Sequence, residues 1–281
     1  MNLDHILSSL IYLGSCFAVF AVGHLVFIFF RRGYNIKDEL VEKDNMAFAL
    51  VMCGYYLGLT FSIGGVIAGP SAGLENDLID MLVYGSLAIV LLNLSALINN
   101  RFILSEFDIR KEILQDQNAG TGVVEFAVFL ATGLNIYGAI FGEGGSIVTA
   151  IAFWALGQTV LILVGKYYNL ITNYNIHEHI EKDNVAVGIG FAGALIGIGN
   201  LLRVASAENF ISWEENLMTF ALYMLVGLIL LPVARILTDR ILLPGRSLAD
   251  ELVNQVKPNQ GAAFLEASSY IGASFLITWC I

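Results

Sequence analysis

Glu42-Lys43-Asp44-Asn45, leading into the apolar stretch 46–53, returns 139 residues later as Glu181-Lys182-Asp183-Asn184, leading into the apolar stretch 185–192. Gly54 and Gly58 recur as Gly193 and Gly197, and Tyr84 recurs as Tyr223. Arg101-Phe102-Ile103-Leu104 recurs as Arg240-Ile241-Leu242-Leu243. After a two-residue insertion, Asn118-x-Gly120-x4-Glu125 matches Asn259-x-Gly261-x4-Glu266. Self-similarity at one long period means that a structural unit is built twice and that its copies bury surface against each other. The chain divides accordingly into 1–141 and 146–281.

Composition says what those units are. Hydrophobic residues make up 57% of the 281 residues and charged ones 14%, against about 25% charged in soluble domains. Apolar blocks fall near 6–30, 46–69, 78–98, 121–141, 146–164, 185–202, 217–237 and 262–281. Each comes close to the roughly 20 residues that a helix needs to cross about 30 Å of hydrocarbon. The blocks are apolar all round rather than along one stripe, as suits helices with apolar surroundings on every side. The predicted class is all-α: a polytopic membrane protein of eight transmembrane helices, built as two parallel four-helix membrane repeats. Four crossings return the chain to its starting side, so the copies share one orientation. A pseudo-two-fold axis along the membrane normal is expected to relate them. The link Gly142-Glu143-Gly144-Gly145 is short enough to make an antiparallel hairpin of the helices on either side. The first block is too long, and its leader too poor in Lys and Arg, to be read as a cleaved signal peptide.

Orientation follows from the cations. Of the 14 Lys and Arg, all but Arg203 fall in or beside the connections after the first, third, fifth and seventh blocks. The positive-inside bias then places those connections in the cytoplasm and both termini outside. The formal charge of −10 is spread over both faces, and no basic stripe suits a nucleic acid. Signs alternate in Lys37-Asp38-Glu39 and Glu42-Lys43-Asp44, as on solvated helical surface. Cys16, Cys53 and Cys280 lack metal-ligand spacing and read as buried structural thiols. His177-x-His179 places its rings on different helix faces, unlike the i, i+4 pair of a zinc helix. Phosphate-binding loop, dinucleotide fingerprint and nucleophile elbow are all missing from the sequence. The expectation is a protein that is not an enzyme and holds neither cofactor nor metal. Its partners are the lipid bilayer and either further copies of itself or a cytoplasmic protein.

A charged segment ending in Asp44-Asn45-x-Ala47 or Asp183-Asn184-x-Ala186 leads into a Gly-rich helix. A second connection ends in Asn-x-Gly before the last helix of each copy. In these motifs the chain resembles the YjfL-type bacterial inner-membrane family, domain-of-unknown-function family 350, once per repeat over nearly its whole length. The resemblance implies a four-helix unit, here doubled, in a bacterial inner (plasma) membrane; it implies no mechanism.

The residues that could carry chemistry are few. Glu125 and Glu266 occupy matching places inside spanning blocks, where an ionisable group costs at least about 2.5–3.5 kcal/mol at mid-membrane. They suit an ion or proton site if they face a common seam. Equally, they suit structure, since both lie near a helix N-terminus and within reach of a cation. Arg101 and Arg240, at the cytoplasmic ends of the third and seventh blocks, are candidate charge partners for them, or interfacial anchors. Asn45, Asn118, Asn184 and Asn259 read as N-caps. Gly54 with Gly58, and Gly193 with Gly197, form Gly-xxx-Gly pairs that let helices approach closely where lipid supplies no hydrophobic drive. His24, Gln158 and Asn200 read as interhelical hydrogen-bonding groups. Two functional readings remain: a small-ion or proton pathway through the paired glutamates, and a non-transporting scaffold or assembly subunit that docks partners through its cytoplasmic loops. Convergence of Glu125 and Glu266 on one wet cavity distinguishes the first from the second.

Overall fold

The computed structural model describes residues 3–31 and 33–281; Arg32, one of the cations used for orientation, lies outside them. Among the described residues the chain is helical, without strands. Eight long helices alternate with short pieces: α1 (Leu3–Phe30), α2 (Met46–Ile67), α3 (Leu74–Phe102), α4 (Ile109–Leu114), α5 (Ala119–Ile140), α6 (Ile147–Ile171), α7 (Ile176–Glu181), α8 (Val185–Ser206), α9 (Trp213–Leu237), α10 (Leu248–Val253) and α11 (Gln260–Cys280). Single π-helical turns at Asp38–Glu42 and Thr238–Leu242 stand before α2 and after α9. Among the described residues seven helices are long and apolar enough to cross a membrane: α1, α2, α3, α5, α6, α8 and α9 with its π turn. The last, α11, has the length at 21 residues but interrupts its apolar run with Glu266, Ser268, Ser269 and Ser274.

Helix starts are decided by the asparagines. Asn45, Asn118, Asn184 and Asn259 each accept, through the side-chain oxygen, the backbone N–H three residues on, at Phe48, Thr121, Val187 and Ala262 (3.0, 2.8, 3.1 and 3.1 Å). That bond satisfies one of the four N–H groups that a helix start leaves free. The preceding residues Asp44, Gln117 and Asp183 take left-handed backbone, with φ of 50°, 51° and 56°, a conformation that the two aspartates tolerate better than most residues. It turns each chain sharply from a short surface helix into a long one.

The four caps expose a period that the 139-residue repeat conceals. Each cap's backbone N–H donates to the carbonyl of Glu39, Glu112, His179 or Glu251 (2.8–3.0 Å). Each of the first three also sends its side-chain N–H₂ into the next unit: Asn45 to the Ile113 carbonyl (2.8 Å), Asn118 to Ile180 (2.7 Å) and Asn184 to Leu252 (2.8 Å). Each copy of the long repeat is therefore itself made of two like blocks. A block consists of an outer helix, a short surface helix and a capped inner helix, and it occurs four times among the described residues.

The inner helices α2, α5, α8 and α11 stand in a row, each packed along the next. Early residues meet early residues and late meet late: Gly122 lies against Ala47 and Gly133 against Gly58, Gly188 against Gly120 and Gly199 against Ala131, Gly193 against Ala267 and Gly197 against Tyr270. All four thus run in the same direction. Contact is close enough that a Cβ on Gly133 would stand 2.2 Å from the Gly58 carbonyl oxygen, and one on Gly193 would stand 2.3 Å from Ala267 Cα. Gly54 and Gly58 serve the α2–α5 seam, and Gly193 and Gly197 serve the α8–α11 seam. The outer helices act as saddles: α3 packs on α2 and α5, α6 on α5 and α8, α9 on α8 and α11.

This row corrects the expected two-fold axis. A half-turn that carries α2 to α8 and α5 to α11 would repeat the α5–α8 seam as an α11–α2 seam. No packing of that extent joins α11 to α2. The second copy continues the first instead of facing it. The cysteines also depart from expectation, with Cys53 and Cys280 exposed and Cys16 half-exposed.

Candidate functional site

Glu266 is fully buried, 0% exposed, one turn and a half into α11. Its Oε1 accepts from the Tyr168 hydroxyl of α6 (3.0 Å), from the Tyr270 hydroxyl one turn further along α11 (2.9 Å), and from Arg235 Nη1 of α9, with which it forms an ion pair. Its Oε2 has no hydrogen-bond partner among the described residues. That oxygen faces Gly190 of α8, where a Cβ would come within 2.6 Å of it. The Arg235 guanidinium lies 5.8 Å from the Tyr174 ring centroid. Tyr174 stands in the connection between α6 and α7, where burial pushes its phenol up to about 12.

Glu125 occupies the matching place on α5 and is 2% exposed. With its amide turned so that nitrogen faces both acceptors, Asn100 of α3 donates to Glu125 Oε1 and to the Ala96 carbonyl (3.0 Å each). The cation that attracts Glu125 is Arg31, just past the end of α1. Its guanidinium rests over the Phe27 and Phe129 rings (4.3 and 5.2 Å to the centroids), an arrangement that favours a cation through the ring quadrupole. Where the second copy has Tyr168 and Tyr270, the first has Phe29 and Phe129, so this carboxylate receives no phenol from either position.

Arg101 and Arg240, the cations expected to pair with these glutamates, are instead exposed, and neither joins an ion pair among the described residues. The reason is angular. Five residues advance a helix by about 140° beyond a full turn, so Arg240 faces away when Arg235 faces α11. Likewise Asn100 looks into the bundle and its neighbour Arg101 looks out. Arg235 had been placed with the cytoplasmic connections; it lies within α9 and is 8% exposed. The signal that marks it is an Arg inside the apolar run 225–237, since an ionisable group at such a place needs a partner.

The two carboxylates do not converge. They sit on α5 and α11 with α8 between them, and α8 is buried on nearly every side. Each has its own cation from an outer element. His24 meets the Tyr56 hydroxyl (2.7 Å), Asn200 meets Ser274 and Arg203, and Gln158 faces Thr132 (3.5 Å). These are links between helices, or between one turn and the next. His177 is half-buried with Nδ1 unpartnered among the described residues, while the His179 ring stands edge-on to Tyr174.

The comparisons with known proteins agree with this architecture. The family described as "Domain of Unknown Function (DUF350)" matches residues 1–140 and again 144–281. The chain is 24% identical over 253 residues to a UPF0719 transmembrane protein of Aquifex aeolicus (strain VF5), covering 89% of this chain and 90% of that one. It is 24% identical over 126 residues to the UPF0719 transmembrane protein YshE of Bacillus subtilis (strain 168), covering 45% of this chain and 87% of that one. No solved structure matches the chain. An integral membrane protein of tandem helical units, the chain belongs to the DUF350 family and contains that family's domain twice.

Proposed function

We propose that the chain is a non-enzymatic, non-conducting membrane scaffold. In this reading all eight long helices span a bacterial inner membrane, both copies share one orientation, and both termini lie outside. The observation that carries the reading is the separation of the two carboxylates: Glu125 and Glu266 stand on opposite sides of α8, each with its own cation. An ion pathway through paired glutamates needs a shared, hydrated route, and here glycine-to-backbone contact fills the seams between them. The buried Arg235–Glu266 ion pair fixes how α9 meets α11, because breaking it leaves a charge without compensation. The surface connections fit the same role. Lys43 pairs with Asp38 and Glu39, Lys111 with Asp116, and Lys182 with Glu178, which leaves a locally neutralised face rather than a funnel for ions.

A second reading, proton holding at Glu266, is favoured by one observation, the partnerless Oε2. The experiment that decides between them is flux through proteoliposomes across several ions and pH gradients. Vesicles no leakier than empty ones are expected. Flux above background that disappears in Glu266→Gln would overturn the scaffold reading in favour of the second.

A further inference from the structure

We infer that the row of inner helices continues from one molecule into the next, with α11 of one copy seated in the groove between α1 and α2 of another. The inference deepens the scaffold reading and rests on it for purpose; its geometry comes from a seam already made three times within the chain.

On α5 the face turned to α8 includes Gly120, Val124, Ala127, Ala131 and Gly138, all buried. The matching residues of α11 are Gly261, Leu265, Ser268, Gly272 and Trp279, and all are exposed. A Cβ on Gly272 would meet nothing within 4 Å. A Cβ on Gly261 would meet only its own cap oxygen at 3.2 Å, whereas one on Gly120 would meet the Asn184 backbone as well. The seam face is present on α11 and has no neighbour.

The other end of the row is open in the complementary way. The face by which α8 meets α5 includes Gly188, Ala192 and Gly199; α2 carries Ala49, Cys53 and Thr60 at those positions, the last two exposed. Every other outer helix saddles two inner helices, but among the described residues the extensive packing of α1 is on α2 and α3, with a single inner helix between them. Its empty half leaves a cavity of about 340 Å³ lined by Leu13, Cys16, Phe17, Phe20, Thr60 and Gly64, among others.

The polar marks of the seam are unpaired at both ends too. Asn45, Asn118 and Asn184 each reach the next unit's short-helix carbonyl, but Asn259 donates to Glu251 alone among the described residues (2.8 Å). Leu40, which stands in the first unit where Ile113, Ile180 and Leu252 stand in the others, receives no asparagine side chain there. An amide nitrogen carries two donors, so Asn259 retains one for the Leu40 carbonyl of a second copy. The small residues of α2 are Ala, Cys and Thr rather than glycine, which sets this seam slightly wider than the internal ones. The Bacillus relative, 87% of whose length matches 126 residues here, has room for one repeat. In such a chain the seam between repeats would have to form between molecules.

An interface of this kind is heterologous, so copies join head to tail and form a ring if the rotation closes or a filament if it does not. The test is a disulfide between the two ends. By register, Gly272 should oppose Thr60 of the next copy, as Ala131 opposes Gly199 within the chain. Full-length protein with Cys16, Cys53 and Cys280 replaced by Ala, and carrying Thr60→Cys together with Gly272→Cys, is oxidised in its native membranes. A ladder of covalent multimers is expected from the double variant and none from either single one. A dimer from Gly272→Cys alone would make the contact two-fold, and no multimer from the double variant would leave α11 facing lipid; either overturns the inference. As a second measurement, Gly272→Phe should convert multi-copy particles in nanodiscs to single-copy mass with an unchanged melting temperature. Unchanged particle mass would exclude this face. Flux with an intact ladder would remove the scaffold reading alone, and a silent, ladder-free protein would remove self-assembly alone.

Discussion

Arg235 of α9 ion-pairs with Glu266 of α11 where the carboxylate has no exposed surface. Removing one member strands the other, at a cost of about 3–5 kcal/mol for a truly buried pair. Arg235→Met should therefore lower the melting temperature in detergent strongly. Arg235→Met combined with Glu266→Gln should recover much of the loss. Equal destabilisation by the single and double variants would show that the pair contributes little.

At the α2–α5 seam, Gly133→Ala places a methyl 2.2 Å from the Gly58 carbonyl oxygen, and neither backbone is free to retreat. Overpacking of this sort costs about 1–3 kcal/mol. Gly14→Ala is the control: nothing lies within 4 Å of its new Cβ, and helix propensity favours Ala by up to about 1 kcal/mol. The expected order of thermal stability is Gly14→Ala, then wild type, then Gly133→Ala.

Asn118 works in two directions, accepting from Thr121 N–H and donating to the Ile180 carbonyl and Glu112 Oε2. Asn118→Asp keeps the cap acceptor but turns the donor into an oxygen facing two oxygens. It should destabilise more than Asn118→Ala, whose loss as a cap is about 0.5–2 kcal/mol. Chemical denaturation of the three proteins gives the order, and an aspartate milder than alanine would assign the residue to capping alone.

Burial holds the His177 imidazole below its ordinary 6.5. As pH falls through that value the unfolded segment takes up a proton before the folded one does. Stability is thus present at neutral pH and is lost on acidification through the lower, folded value. Protection against hydrogen exchange across 176–181, taken relative to the intrinsic exchange rate at each pH, should fall between pH 7.5 and pH 5.5. His177→Phe should abolish that fall.

Alkaline-phosphatase fusions should be active after residue 143 and inactive after residues 110 or 180, placing α4 and α7 in the cytoplasm. The reverse pattern would invert the orientation.

The sequence exposed those features that repeat with high contrast. Apolar blocks located the seven helices long and apolar enough to cross a membrane and the body of α11; duplicated Asp-Asn-x-Ala placed the caps Asn45 and Asn184, and duplicated Asn-x-Gly placed the caps Asn118 and Asn259 and both glutamates. The half-length period escaped because its units share little beyond a carboxylate or histidine five to eight residues before an asparagine: Glu39 with Asn45, Glu112 with Asn118, His179 with Asn184 and Glu251 with Asn259. The charge partners escaped because the two copies recruit them from different elements. Arg31 follows α1, whereas Arg235 stands where the first copy has Ala96, so pairing positions that match between copies led to Arg101 and Arg240. Which cation turns inward is a matter of helix rotation, and residues within a turn of one another differ in it while looking alike in a linear count.

A row in which each inner helix packs, among the inner helices, along its predecessor and successor also prescribes an order of assembly. Every large contact joins segments close in sequence, so a hairpin leaving the ribosome finds its binding surface already complete in the hairpin before it. A chain halted at residue 141 would already have closed the α2–α5 seam, leaving open the surface that awaits α6, α7 and α8 and the groove between α1 and α2. Lengthening such a protein by a further unit leaves the earlier seams untouched, since each addition is made at the growing edge.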